Sequence, residues 1–103
     1  MKFIFNNYAR LTGTLRDKKW YEWKIFLDEP EDKLNLVKSV EYRLGRTFPN
    51  PIRVIEDRAS RFALESSGWG EFTMLIIVHL MDGSEERMPY LLDFSKPWPA
   101  EEN

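Results

Sequence analysis

Phe72-Thr73-Met74-Leu75-Ile76-Ile77-Val78-His79-Leu80 is the stretch on which the fold class turns. Phe72, Met74, Ile76, Val78 and Leu80 alternate with Thr73, Leu75, Ile77 and His79, a period of two that suits a strand and not a helix. Both sets are mostly apolar, which predicts a strand covered on both faces and therefore central in its sheet. Asp82-Gly83 follows, a pair favoured in two-residue hairpin turns because glycine accepts a positive φ. Glu85 to Phe94 is expected to return antiparallel.

Upstream, Tyr21, Trp23, Ile25 and Leu27 fall on one side of a strand over Trp20 to Leu27, with Glu22 and Lys24 on the other beside Trp20 and Phe26. Val40, Tyr42 and Leu44 alternate with Glu41 and Arg43 as a second strand. Asp28-Glu29-Pro30-Glu31-Asp32-Lys33 is charged and broken by proline, so it is expected to turn in solvent, its crowded carboxylates solvated. Phe48-Pro49-Asn50-Pro51 cannot stay in a sheet, because proline has no amide hydrogen and pushes its predecessor to extended geometry. Ile52 to Ile55 and Arg61 to Leu64 read as short strands around the turn Asp57-Arg58-Ala59-Ser60, and Ser66 to Gly70 as a loop. Seven or eight short antiparallel strands in about a hundred residues predict an all-β, immunoglobulin-like sandwich.

The 103 residues suit one domain over 1–103, with 95–103 a loose tail around Pro97 and Pro99. Apolar residues at 43% and aromatics at 15% are enough to offset the entropy of ordering the chain. No cysteine is present, which excludes disulfides and thiolate zinc sites and fits a cytoplasmic location. Met1-Lys2-Phe3-Ile4-Phe5 is too short an apolar start for a signal peptide, and Met74 to Val78 falls far short of the roughly 20 residues of a membrane span. The expectation is a soluble protein with no membrane partner. Net charge is −2, so nucleic acid is not an expected partner either, and the basic excess over residues 38–61 reads as a solvated strand face.

Catalytic chemistry finds little to work with. There is one histidine, His79, and no thiol, so no nucleophile has a base beside it. No phosphate loop, metal-ligand spacing or calcium-loop pattern occurs, and neither cofactor nor metal is expected. The expected function is binding, not catalysis.

Two loops carry it, Leu44-Gly45-Arg46-Thr47-Phe48-Pro49-Asn50-Pro51 and Ser66-Ser67-Gly68-Trp69-Gly70-Glu71-Phe72. Each places a large aromatic outside the strand pattern, and the glycines flanking Trp69 allow close approach to the backbone. Loops at one end of a sandwich converge, so Phe48 and Trp69 are expected to face each other across a narrow slot. The string Leu44-x-x-x-Phe48-Pro49-x-Pro51-x-Arg53-Val54, followed by Gly68-Trp69-Gly70-Glu71-Phe72, resembles the YEATS domain family of acyl-lysine readers, in a short prokaryotic-type form. Trp23-x-Ile25-x-Leu27 matches the family's early Trp strand, and the resemblance covers residues 20–94.

The resemblance implies a ligand. Phe48 and Trp69 would wall a slot for the flat amide of an acylated lysine, Phe72 would support it, and Gly68 and Gly70 would line its floor. The Thr47 hydroxyl and the Trp69 backbone amide would bond the ligand. Two family histidine positions are changed: Gly45 follows Leu44, and Lys19 and Tyr21 stand where His-x-His precedes the Trp. Either a different ligand fits a wider slot, or the loops serve a protein contact. Expected partners are an acylated-lysine peptide or protein, or another protein docked by a sheet face; an apolar patch on the Leu75, Ile77, His79 side would favour the latter.

Overall fold

The computed structural model describes residues 2–99. Seven strands form two antiparallel sheets. β1 (Phe5–Leu15), β2 (Lys18–Leu27) and β5 (Leu64–Gly68) make one, in the order β1-β2-β5. β3 (Val37–Arg43), β4 (Ile52–Ile55), β6 (Thr73–Leu80) and β7 (Glu85–Leu91) make the other, in the order β4-β3-β6-β7. The strand with two apolar sides, β6, is interior as its composition requires, and β7 lies at an edge, where Pro89 removes no needed ladder bond.

Alternation builds the core. Trp23, Ile25 and Leu27 of β2 face Val40 and Tyr42 of β3 and Met74, Ile76 and Val78 of β6, all buried. Trp23 is fully enclosed, so it anchors the sheet-to-sheet packing. The Tyr42 hydroxyl keeps a hydrogen bond by donating to the Phe62 carbonyl at 2.5 Å, and burial pushes its pKa far up. Asn7, also enclosed, donates to the Asp93 carbonyl at 2.8 Å and accepts from the Tyr90 hydroxyl at 2.7 Å and the Asp93 amide at 3.2 Å. It ties the first strand to the segment after β7.

Several local expectations are corrected. β1 is a strand the sequence hides: only Phe5, Asn7 and Ala9 face inward before the chain overhangs the core, so the alternation is brief. Its hairpin to β2 turns on Arg16 and Asp17, both at positive φ, as a type I′ turn requires without the usual glycine. The charged stretch after β2 contains a one-turn helix, α1 (Glu31–Leu34), and Glu29 is buried rather than solvated. Its carboxylate accepts from the Ile4 amide at 2.7 Å and pairs with Lys33 at 3.1 Å, which satisfies it there.

Arg61 and Phe62 are no strand, since both adopt positive φ after the 3-10 turn Arg58–Ser60. Strand β5 instead runs through Ser66 and Ser67 to Gly68, because pairing with β2 satisfies that backbone. The β6–β7 connection has four residues, Met81 to Ser84, with Gly83 at φ +91° and its amide donating to the Leu80 carbonyl at 3.0 Å. From Ser95 the chain lies against β1: the Ala9 amide donates to the Lys96 carbonyl at 2.8 Å, and the Arg10 guanidinium sits 4.4 Å from the Trp98 ring centre. Glu101-Glu102-Asn103 lie outside the described residues. Among the described residues no helix is long and apolar enough to cross a membrane.

Candidate functional site

The β3–β4 connection begins at Leu44, buried just after β3, whose amide donates to the Pro51 carbonyl at 2.8 Å and closes the loop at its base. Gly45 adopts φ +122°, a conformation open to glycine and costly for other residues. The chain then turns, the Phe48 amide donating to the Gly45 carbonyl at 3.2 Å. Arg53 braces the far side: its Nε donates to the Asn50 carbonyl at 2.6 Å and its Nη2 to the Pro49 carbonyl at 2.8 Å. The prolines remove amides that would otherwise seek partners here, so a side chain does the tying. Thr47 is left exposed and Phe48 half-buried.

Opposite stands the β5–β6 connection, which starts at Trp69, not at Ser66. Its end is pinned to the last strand's continuation: the Leu92 amide donates to the Phe72 carbonyl at 3.0 Å, and the Phe94 amide donates to Glu71 Oε2 at 2.7 Å. Glu71 therefore has a backbone partner. Phe72 lies half-buried with its ring 5.0 Å from that of Phe48, tilted by 45°, and 6.0 Å from that of Trp23. Phe48 in turn meets Trp23 edge-on at 6.4 Å. Phe72 and Trp23 together form the bed on which Phe48 rests.

A cleft of about 660 Å³ opens between the two connections, and Thr47, Phe48, Gly68, Trp69, Gly70 and Phe72 all line it. A Cβ placed on Gly68 would stand 4.0 Å from Phe48 Cζ, so the glycine keeps the gap beside that ring open. A Cβ on Gly70 would meet nothing within 4 Å. Trp69 is 56% exposed at the mouth. It makes no ring contact with Phe48 among the described residues; the nearest charge on its face is Lys18 Nζ, 3.7 Å from the ring centre. The expected pair of facing rings is thus one ring bedded on the core and one standing free at the rim.

Three neighbours escaped the sequence reading. Trp20 lines the cleft from the outward side of β2, Lys18 of the hairpin lies over the ring of Trp69, and Arg53 braces its loop. Trp20 was visible as an aromatic on the outward face of β2, beside Glu22, Lys24 and Phe26. The roles of the other two depend on partners distant in sequence.

The outer face of the β6 sheet is built differently. His79 Nε2 lies 3.2 Å from Glu41 and its Nδ1 lies 3.7 Å from Glu85, while Arg43 pairs with Glu41 at 2.6 Å and Arg87 with Glu85 at 2.9 Å. The Arg43 guanidinium, with His79, holds the Glu41 carboxyl below the usual range despite opposing desolvation. Ile77 is buried at 1% exposure, but Ile52 and Val54 of β4, opposite Arg43 and Glu41, and Leu91 of β7, opposite Thr73, are exposed on the same face, so apolar side chains flank this charged network. Arg53, Arg58 and Arg61 of the basic stretch are engaged separately, Arg58 with Asn35 and Arg61 with the Glu29 carbonyl. Among the described residues no cluster of three potential metal-binding side chains occurs.

A family model described as the prokaryotic YEATS domain matches residues 21–93, most of the chain and both of its cleft-forming connections. The chain belongs to the YEATS domain family. Among YEATS-containing relatives, the "Protein AF-9 homolog" of Eremothecium gossypii is 35% identical over 92 residues, covering 82% of this chain and 43% of the relative. That of Kluyveromyces lactis is 44% identical over 68 residues, covering 64% and 30%. The chain thus spans less than half the length of these curated relatives. Solved YEATS structures superpose on it: the Yaf9 YEATS domain recognising an H3K122suc peptide, with TM-score 0.71 and 27% identity over 91% of this chain and 78% of that one. The Yaf9 YEATS domain bound to H3K27ac gives TM-score 0.70 and 26% identity over 95% and 79%. Both are two-sheet sandwiches of the kind described above, as expected of an immunoglobulin-like fold.

Proposed function

We propose that this chain is a non-enzymatic reader of acylated lysine, or of a similarly flat neutral amide, held in the cleft between the β3–β4 and β5–β6 connections. One observation carries the reading: six residues, from the β3–β4 connection and from the end of β5 with the connection that follows it, line a single open cleft with an exposed tryptophan at its mouth. A tryptophan that merely plugged the end of a sandwich would be buried. The relatives solved with acetylated and succinylated histone H3 peptides support the ligand class.

Acylation removes lysine's charge and leaves a planar amide on an apolar stem. Such a group stacks well on aromatic faces provided its own hydrogen bonds are replaced. In this arrangement Phe48 and Trp69 supply the faces, with Phe72 holding Phe48 in place. The Thr47 hydroxyl accepts from the amide N–H, the Trp69 backbone amide donates to the acyl oxygen, and Gly68 and Gly70 give the ligand room. An unmodified ammonium would lose hydration without compensation, which costs several kcal/mol. The affinity is expected to be modest, because one slot buries little area.

The test is a tryptophan fluorescence titration with lysine peptides in free-amine, acetylated and longer-acylated forms, repeated on Trp69→Ala. Acylated peptides bind the native protein and the free amine does not; Trp69→Ala loses binding while its melting temperature stays within a few degrees. Equal response to modified and unmodified peptides would reject the proposal.

A further inference from the structure

We infer that Lys18 makes the mouth of this cleft selective for acyl groups that end in a carboxylate, over neutral acyl groups of the same length. The inference rests on the acyl-lysine reading and names the substrate class within it. Its basis is a juxtaposition that neither loop contains: the Lys18 ammonium lies 3.7 Å from the centre of the Trp69 ring, and Trp69 is the exposed wall of the cleft. Lys18 begins β2, and Trp20, two residues on and therefore on the same strand face, lines the cleft itself. The overhanging β1–β2 hairpin thus brings a cation against the exposed tryptophan of the cleft.

The two charged side chains that line the cleft itself, Arg53 and Glu71, each hold backbone partners. Arg53 spends its guanidinium on the Pro49 and Asn50 carbonyls, and Glu71 accepts from the Phe94 amide. Lys18 is exposed, and its contact on this side is the face of an aromatic ring. A ring face attracts a cation without neutralising it, so the ammonium keeps donors for an anion. A long flexible stem lets it meet a carboxylate emerging past Trp69 while its methylenes stay on the ring. The same charge repels an unmodified lysine at the entrance, so one residue acts on both sides of the discrimination.

The experiment compares succinyl-lysine and butyryl-lysine in one peptide sequence. Both acyl chains have four carbons and differ in the terminal carboxylate. In native protein at low salt the succinyl peptide is expected to bind about three- to five-fold tighter, the range of an exposed ion pair, with the ratio shrinking as salt is raised. Lys18→Met brings the ratio to about one, Lys18→Glu inverts it, and Lys18→Arg keeps it. A ratio near one in the native protein, or a ratio unchanged in Lys18→Met, overturns the inference while leaving a neutral acyl-lysine reader standing. Failure of both peptides and of an acetyl-lysine peptide to bind overturns the reader assignment as well.

Discussion

Gly68→Ala separates a ligand slot from a packing feature, because the structure gives opposite signs to its effects on stability and on binding. Gly68 ends β5 with ordinary strand geometry, so alanine meets no backbone penalty there. Its new methyl stands 4.0 Å from Phe48 Cζ, a normal van der Waals contact, so nothing has to move. Replacing glycine in an extended segment stabilises by about 0.5–1 kcal/mol through the entropy of the unfolded chain. For a domain of this size that raises the melting temperature by about 2–8 °C.

Binding moves the other way. A methyl in van der Waals contact with Phe48 Cζ fills space at the tip of that ring which the cleft otherwise leaves to a ligand. The prediction is at least a ten-fold loss of affinity for an acetyl-lysine peptide, measured by fluorescence or calorimetric titration beside a thermal melt. Undiminished binding in a folded Gly68→Ala protein would refute placement of the ligand beside Phe48. A melting temperature lowered by 10 °C would refute the claim that this gap is open space.

Two further predictions concern the frame. Asn7→Leu strands the Tyr90 hydroxyl and both backbone groups of Asp93, which are partly buried, so a loss of about 1–3 kcal/mol and a melting temperature down by about 5 °C or more are expected; a drop of only a degree or two would show that water replaces the amide. Glu41 has its folded-state pKa lowered, chiefly by Arg43, so its contribution is present above the ordinary glutamate value and lost as pH falls through the folded one. Urea midpoints measured between pH 6 and 3 should therefore decline less steeply for Glu41→Gln than for the native chain, and identical slopes would count against the Arg43–Glu41–His79 network.

Much of this protein follows from alternation alone. Tyr21-Trp23-Ile25-Leu27, Val40-Tyr42 and Met74-Ile76-Val78 specify strands and name the faces that meet, because a one-residue slip would expose the whole set. The prolines at 49 and 51 and the glycines at 68 and 70 likewise mark the two connections, since backbone permission is a local property. What stayed hidden was whatever depends on a partner far along the chain. The sequence near Ser66 reads as loop until β2 supplies its ladder, and Glu29 reads as solvent-exposed until Ile4 and Lys33 arrive. Arg16-Asp17 is a tight turn only because the flanking strands pair.

The cleft divides in the same way. Its residue types and its two glycines were legible, since chemistry and backbone freedom are carried by each residue separately. Its shape was not: Phe48 is bedded on Trp23 and Phe72, while Trp69 stands at the rim under a lysine from a hairpin fifty residues earlier. Sequence determines which groups are available and which strands can form, because those follow from local sterics and the period of burial. Tertiary structure alone decides which face of a ring is covered and which charge guards an opening, because contacts between distant segments exist only once the sheets have closed on their core.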